Sequence, residues 1–154
     1  MNEKLEDLKI VKNVLDKLKV KFFLNYGTLL GAYRDGDFLE SDNDIDLGIF
    51  GNERREEILE ELKKQGFYLR EGKDNGNICV DRKTHFDIHL FTLKGDEYLC
   101  VLSNCKFPKE FDKLEKIIFK GLIFFVPGKT EKYLEMSYGD WRNKDNKKQT
   151  SFCY

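Results

Sequence analysis

The stretch YGTLLGAYRDGDFLESDNDIDLGIF, residues 26–50, decides how this chain is read. It opens on a glycine–threonine turn signal, passes through a short apolar run at helical spacing, and crowds Glu40, Asp42, Asp44 and Asp46 against a β-rich segment. Strand side chains alternate, so Ile45, Leu47 and Ile49 take one face and Asp44 and Asp46 the other. Neighbouring carboxylates repel, and each raises the other's pKa unless a cation lies between them. A divalent metal removes the conflict. Oxygen-only ligands suit Mg²⁺ or Mn²⁺, which keep several waters and take further ligands from substrate phosphates.

A third carboxylate at the same sheet edge would strengthen such a site, and Asp87 in HFDIHLF (residues 85–91) is the candidate. It lies inside an otherwise apolar strand, an expensive place for a charge without a partner. Alone it reads as a surface-facing residue on a half-exposed strand; beside Asp44 and Asp46 it reads as a ligand. Ahead of the acids, Gly27 lets the backbone approach a ligand, Thr28 offers a hydroxyl, and the following helix aims free N–H groups at an anion. Such a pair is common as a plain turn, and takes its weight from the double aspartate downstream. Two other metal readings fit worse. An EF-hand loop counted from Asp42 puts Leu47 where glycine is needed and strand where the loop should curl. A zinc site from His85, His89, Cys100 and Cys105 lacks the usual knuckle order.

Working outward, Leu5, Leu8, Val11, Leu15 and Leu18 predict an amphipathic first helix over residues 1–19, and VKFFL (20–24) a short strand. A short helix from Leu29 to Tyr33 follows, broken at Arg34-Asp35-Gly36-Asp37, then a strand over Ile45 to Phe50. A helix over Glu53 to Gln65 stops at Gly66. Strands follow at 67–70, 78–82, 86–92 and 98–102, separated by turns at 72–76 and 94–96. Residues 107–114 carry Pro108 where a helix's first turn permits it. Segments 117–119 and 122–126 form a hairpin around Lys120-Gly121, and a helix over 130–138, capped by Thr130, ends at Gly139. No repeat or linker interrupts the chain, and only the polar tail over 143–149 reads as loose.

The 154 residues fit one domain. With 27 Lys plus Arg against 28 Asp plus Glu, the formal net charge of −1 supplies no global field for nucleic acid or an anionic membrane, so any attraction for phosphate is local. The start MNEKLEDLKIVKNV has no apolar h-region, and no long apolar run follows, so a cytoplasmic, unanchored protein is expected. The four cysteines then read as buried reduced thiols.

With these residues in place, the chain resembles the nucleotidyltransferase superfamily built on the polymerase-β-like core, and within it the LicD family that includes fukutin and the fukutin-related protein. The likeness rests on residues 26–50, where Asn43 replaces the second acid of the family's Asp-Asp-Asp-Ile-Asp run, and on LIFFVPGKTEKYLEMSYGDWR (122–142). It implies an α+β fold with a nucleotidyltransferase-like mixed β-sheet and helices packed mainly on one face. It also implies metal-dependent transfer of a phosphocholine- or alditol-phosphate-type group from a CDP-linked donor to a sugar or glycan hydroxyl. Asp44, Asp46 and Asp87 would hold Mg²⁺ or Mn²⁺ and carry catalysis, with Asp87 placed to draw the hydroxyl proton. Gly27 and Thr28 would hold donor phosphates and Arg34 would help clamp them, although a helix-end arginine is equally a plain surface residue. Trp141, with Tyr138 and Arg142, reads either as a stacking platform or as core. Two rivals share the site: nucleotidyl transfer from an NTP with release of pyrophosphate, and a non-catalytic nucleotide- or metal-binding module.

Overall fold

The computed structural model describes residues 2–70, 76–100 and 105–146. The predicted turn over 72–76 (but for Gly76), the strand end at 101–102, the tail beyond residue 146 and Cys153 lie outside them.

The first helix, α1 (Glu3–Lys17), is capped by the Asn2 side chain, which accepts the Lys4 N–H at 2.8 Å, and places Glu3 and Glu6 in its first turn, where acids suit the helix dipole. It buries Leu8, Val11, Val14 and Leu15, the face its periodicity predicts, and packs against α3 (Arg55–Lys64). Asp7, on that same buried face, is fully enclosed. Its carboxylate accepts from Arg82 at 2.6 Å and from the Lys83 and Thr84 N–H groups at 2.9 Å each. A buried carboxylate needs such partners, and these fasten α1 to the turn before β5 (His85–Lys94).

Phe23–Leu24 forms β1, and Tyr26–Leu30 forms α2, which runs on into a wide turn over Gly31–Asp35. The helix thus begins earlier than Leu29: Asn25 caps it, and Gly27 and Thr28 lie inside its first turn. Gly36, left-handed at φ +67°, closes the wide turn by donating to the Gly31 carbonyl. A Cβ on Gly31 would overlap the backbone of Asp37 and Leu39, so glycine lets the loop carrying the acids fold back on the helix.

The remaining strands are β2 (Asp44–Phe50), β3 (Tyr68–Leu69), β4 (Ile78–Asp81), β6 (Glu97–Cys100), β7 (Lys106–Pro108), β8 (Glu115–Phe119) and β9 (Leu122–Val126). One mixed sheet runs β3-β4-β5-β2-β1-β9-β8, with β6 and β7 branching from the far half of β5. The β1·β9 and β2·β5 pairs are parallel and the rest antiparallel. Lys120 and Gly121, both at positive φ, make the two-residue turn between β8 and β9 that strand twist favours. The strand over Asp44–Phe50 leaves no curling loop for calcium.

Four expectations change. Pro108 ends strand β7, and only a single 3₁₀ turn, Lys109–Phe111, follows, because Phe107 is drawn into the core opposite Tyr98. The final helix, α4 (Thr130–Tyr138), has Lys129 at its cap position; the Thr130 hydroxyl instead donates to the Pro127 carbonyl at 2.8 Å. Residues 143–146 are held, not loose, by contacts described below. Cys79 and Cys100 are buried thiols, as expected, but Cys105 is disulfide-bonded.

Register grades the chemistry along one sheet face. Across β2·β5, Asp44 stands opposite His85, Asp46 opposite Asp87, Gly48 opposite His89 and Phe50 opposite Phe91. Carboxylates thus occupy the start of both strands and aromatic rings the end. There Phe107 lies 5.0 Å from Phe23, 5.3 Å from Phe50, 5.7 Å from Phe91 and 5.5 Å from Tyr133, centroid to centroid. The opposite face, with Ile45, Leu47, Ile49, Phe86, Ile88 and Leu90, is wholly apolar and buried.

Candidate active site

Asp44 and Asp46 project from the first turn of pleat in β2, and Asp87 from the neighbouring strand β5. Paired positions in a parallel ladder share a face and sit about 5 Å apart, so the register brings together the three acids that the sequence singles out. Asp42 joins them: it accepts the Asp44 N–H at 3.4 Å and sits within electrostatic reach of Asp44 and Asp87. Asp42 is not among the acids expected at the site, although its alternation with Asp44 and Asp46 is the signal for it in the sequence.

The backbone around Asp46 is fixed from both sides. Its N–H donates to the Thr28 hydroxyl at 2.9 Å and its carbonyl accepts the Asn25 N–H at 3.0 Å, so the start of α2 is clamped to β2. Thr28 is therefore buried and used in placing Asp46. Gly27 is needed for closeness of another kind: a Cβ there would overlap the Asp42 carboxylate. Tyr26 accepts a left-handed backbone (φ +46°) to make the corner, a conformation that costs a bulky residue about 1–3 kcal/mol and is tolerated where surroundings enforce it.

Electrostatically the cluster is unbalanced. Burial, followed by repulsion from Asp87, Asp42 and Asp44, holds the Asp46 carboxyl far above the usual carboxylate range, and Arg70 opposes the shift. Burial likewise raises Asp42. Tyr138 keeps its phenol proton, through burial and then through the nearby charges of Asp46 and Asp42. Burial also holds the His89 imidazole below its ordinary pKa, hence neutral, edge-on to Tyr26 at 5.0 Å.

Arg70, absent from the sequence reading, donates from Nη1 to Asp87 Oδ1 at 3.0 Å and from Nε and Nη2 to Asp81 Oδ1 at 3.0 and 2.9 Å. Asp81 also meets His85 Nδ1 at 2.8 Å. No sequence periodicity marks these residues, because they come from the strand ends of β3, β4 and β5. His85 and Asp44 open together onto a cleft of about 950 Å³, whose other walls include Lys4, Phe38 and Lys83.

Arg34 is placed differently from the phosphate clamp that the sequence suggested. Its side chain is 5% exposed; Nε and Nη2 pair with Asp35, and Nη1 donates to the carbonyls of Trp141, Asn143 and Asn146 at 3.1, 3.0 and 2.9 Å. Trp141 is buried edge-on against Tyr33, with the Arg142 guanidinium 4.3 Å over its ring, so the core reading of Trp141 holds. Arg34 thereby ties the segment after α4 to the wide turn. Replacing it with Ala is expected to cost about 2–3 kcal/mol by stranding these carbonyls and to speed amide exchange over residues 141–146. A lysine cannot restore protection, because one ammonium does not span a guanidinium's fork; full protection in the Ala variant would refute the tie.

Among the described residues no three His, Cys, Asp or Glu side chains form a preformed metal-ligand set. The zinc reading has no support in this arrangement. A two-carboxylate site completed by waters and substrate phosphates is the habit of Mg²⁺, and the hard oxygen donors of Asp44 and Asp46, with one oxygen of Asp87 turned to Arg70, suit that cation.

A mixed sheet presenting paired acids at the start of β2 and β5, beside a glycine corner and short helix, defines a nucleotidyltransferase-fold domain. Solved structures agree on the fold: ANT(2")-Ia in complex with adenylyl-2"-tobramycin matches with TM-score 0.61 and 16% identity over 84% of this chain and 71% of that one. The lincosamide antibiotic adenylyltransferase LnuA, lincomycin-bound, matches with TM-score 0.60 and 16% identity over 87% and 85%. Residues 19–129 match the family described as LicD/FKTN/FKRP, nucleotidyltransferase domain, and the chain belongs to that family. Its relatives include ribitol 5-phosphate transferase FKRP of Mus musculus, 27% identical over 152 residues, and ribitol-5-phosphate transferase FKTN of Homo sapiens, 29% identical over 146. The uncharacterized protein RT0683 of Rickettsia typhi is 27% identical over 142 residues. Each alignment covers 87% of this chain but only 31%, 32% and 45% of the respective relative, so the chain spans less than half the length of these proteins. No helix among the described residues is long and apolar enough to cross a membrane.

Proposed function

We propose that this domain transfers a phosphocholine- or alditol-phosphate-type group from a CDP-linked donor to a sugar hydroxyl, with Mg²⁺ or Mn²⁺ held by Asp44, Asp46 and Asp87. The observation that carries the reading is the parallel register setting Asp46 against Asp87 with Asp44 on the same face. The kinship to FKRP and FKTN, both named as ribitol-5-phosphate transferases, supports the class of group transferred. A bound divalent cation would neutralise charge on the phosphoryl oxygens.

The chain's own residues supply the rest. The acceptor hydroxyl oxygen forms a bond to the donor's distal phosphorus as the P–O bond to CMP breaks, and CMP leaves with the bond's electron pair. Asp87 takes the hydroxyl proton. Thr28 and Asn25 fix the strand that carries Asp46, and Gly27 leaves room beside Asp42 for close backbone approach. His85 and Asp44 face the cleft from which an acceptor would reach the acids.

The second reading, nucleotidyl transfer from an NTP, is favoured by the adenylyltransferase folds above. Products separate the two: incubation with CDP-ribitol or CDP-choline and a panel of sugar acceptors is expected to release CMP, whereas nucleotidyl transfer releases pyrophosphate from an NTP. Metal-dependent nucleotide binding with neither product would leave a non-catalytic module.

A further inference from the structure

We propose that Arg70 is the resting counter-ion of the carboxylate cluster, a positioning residue that steadies Asp87 in the metal-free protein and competes with a divalent cation for the same charge. The metal half of this inference rests on the cation site proposed above; the counter-ion half does not.

Arg70 follows directly on β3, and its backbone N–H donates to the Cys79 carbonyl at 3.0 Å, which fixes its Cα beside β4. From there the guanidinium forks. Nε and Nη2 close on Asp81, Nη2 reaches the Phe86 carbonyl at 3.4 Å, and Nη1 alone extends to Asp87. Asp81 is the fixed anchor, since it also holds His85 Nδ1. The side chain is only about a fifth exposed, which limits the screening that makes surface pairs weak.

Asp42, Asp44, Asp46 and Asp87 share one neighbourhood; the cation set against Asp46 is Arg70, and Lys4, donating to the Asp42 carbonyl, is set against Asp42. One guanidinium shared with Asp81 and one ammonium at Asp42 do not balance four acidic groups. The cluster stays net negative and attracts a cation, while Arg70 repels the cation it attracts. Removing Arg70 therefore has two opposite consequences: the metal-free cluster loses its stabiliser, and the incoming cation loses its competitor.

The first test is a double-mutant cycle in EDTA, read as melting temperature. In the wild-type background Asp87→Asn is expected to lower the melting temperature, because Arg70 loses a partner. In an Arg70→Gln background the same change is expected to raise it, because one repelling charge is gone. Equal shifts in both backgrounds overturn the counter-ion. The second test is calorimetric titration with Mn²⁺ alone. Arg70→Gln is expected to bind about fivefold or more tightly than wild type, and Arg70→Lys, which keeps the charge, to stay within about twofold of it. Equal or weaker binding by Arg70→Gln overturns the competition. A wild-type protein that binds no Mn²⁺ removes the cation site itself and with it the competition, while the EDTA cycle still decides the counter-ion. Should Arg70→Gln fail to fold, Asp81→Asn decides: it leaves the guanidinium to the cluster alone, so Mn²⁺ should bind about threefold or more weakly, and unchanged binding counts against the proposal.

Discussion

Asp46→Asn is expected to reduce transfer by about a thousandfold or more while making the metal-free protein more resistant to urea. The loss follows from removing one of the charges that would hold the cation and align the phosphoryl group, a contribution of several kcal/mol to the transition state. The gain follows from the same carboxylate's surroundings: half-buried and facing Asp87, Asp42 and Asp44, it is ionised only against resistance. Nothing in the local backbone needs the charge, since the Asp46 N–H and carbonyl are held by Thr28 and Asn25. An amide of equal size keeps those bonds.

Linkage fixes the pH signature. A carboxyl whose folded-state pKa is raised binds its proton more tightly in the native chain than in the unfolded one. Its contribution is fully present below the ordinary carboxylate pKa and is lost as pH rises toward the elevated folded value. In EDTA the urea midpoint of the wild type should therefore fall as pH climbs above the usual carboxylate range, with Asp42 adding to the decline through its own upward shift. The Asp46→Asn profile should be flatter, and Mg²⁺ should restore the wild type more than the variant. A variant with undiminished transfer would remove the metal-carboxylate mechanism, and one less stable than wild type in EDTA would show that the repulsion is not felt.

Phe107→Ala is expected to cost about 3–5 kcal/mol, the range for emptying a buried aromatic site. Typical domains have only about 5–15 kcal/mol in total, so the variant should lie near its unfolding midpoint. Phe107 has no exposed surface, and its ring is enclosed by Phe23, Phe50, Phe91, Tyr98, Phe111 and Tyr133, with separations of 5.0 to 6.5 Å. These rings come from β1, β2, β5, β6, the 3₁₀ turn and α4, so one truncation leaves a void that no single element can fill by shifting. Denaturant unfolding with an unchanged slope but a much lower midpoint is the readout; a midpoint near wild type would mean the cluster collapses around the gap. Phe107→Leu, which retains most of the volume, should cost far less.

Much of the fold follows from local pattern. The stripe of Leu8, Val11 and Leu15, the alternation from Asp44 to Ile49, the glycine stops at Gly36, Gly66 and Gly139, and the Lys120-Gly121 hairpin each express a short-range preference strong enough to survive packing. Pro108 and Thr130 were misread because tertiary burial outweighed them: Phe107 pulls its neighbour into a strand, and Pro127 offers the threonine hydroxyl a carbonyl in place of the helix end. Arg34 departs from its expected exposure for a similar reason. A guanidinium at a helix end looks available to phosphate until the carbonyls from residues 141 to 146 arrive from a distant part of the chain.

By itself the sequence determined that Asp44 and Asp46 share a strand face and that this face carries more negative charge than water alone would favour, because alternation is a property of the extended backbone. Only the tertiary structure decided which acid would stand opposite them, since the register of β2 against β5 is set by long-range packing of the apolar face beneath. It also decided that Asp42 joins the cluster and that Arg70 answers it. Charge–charge energies depend on distance and burial, and neither is written in the order of residues along a chain.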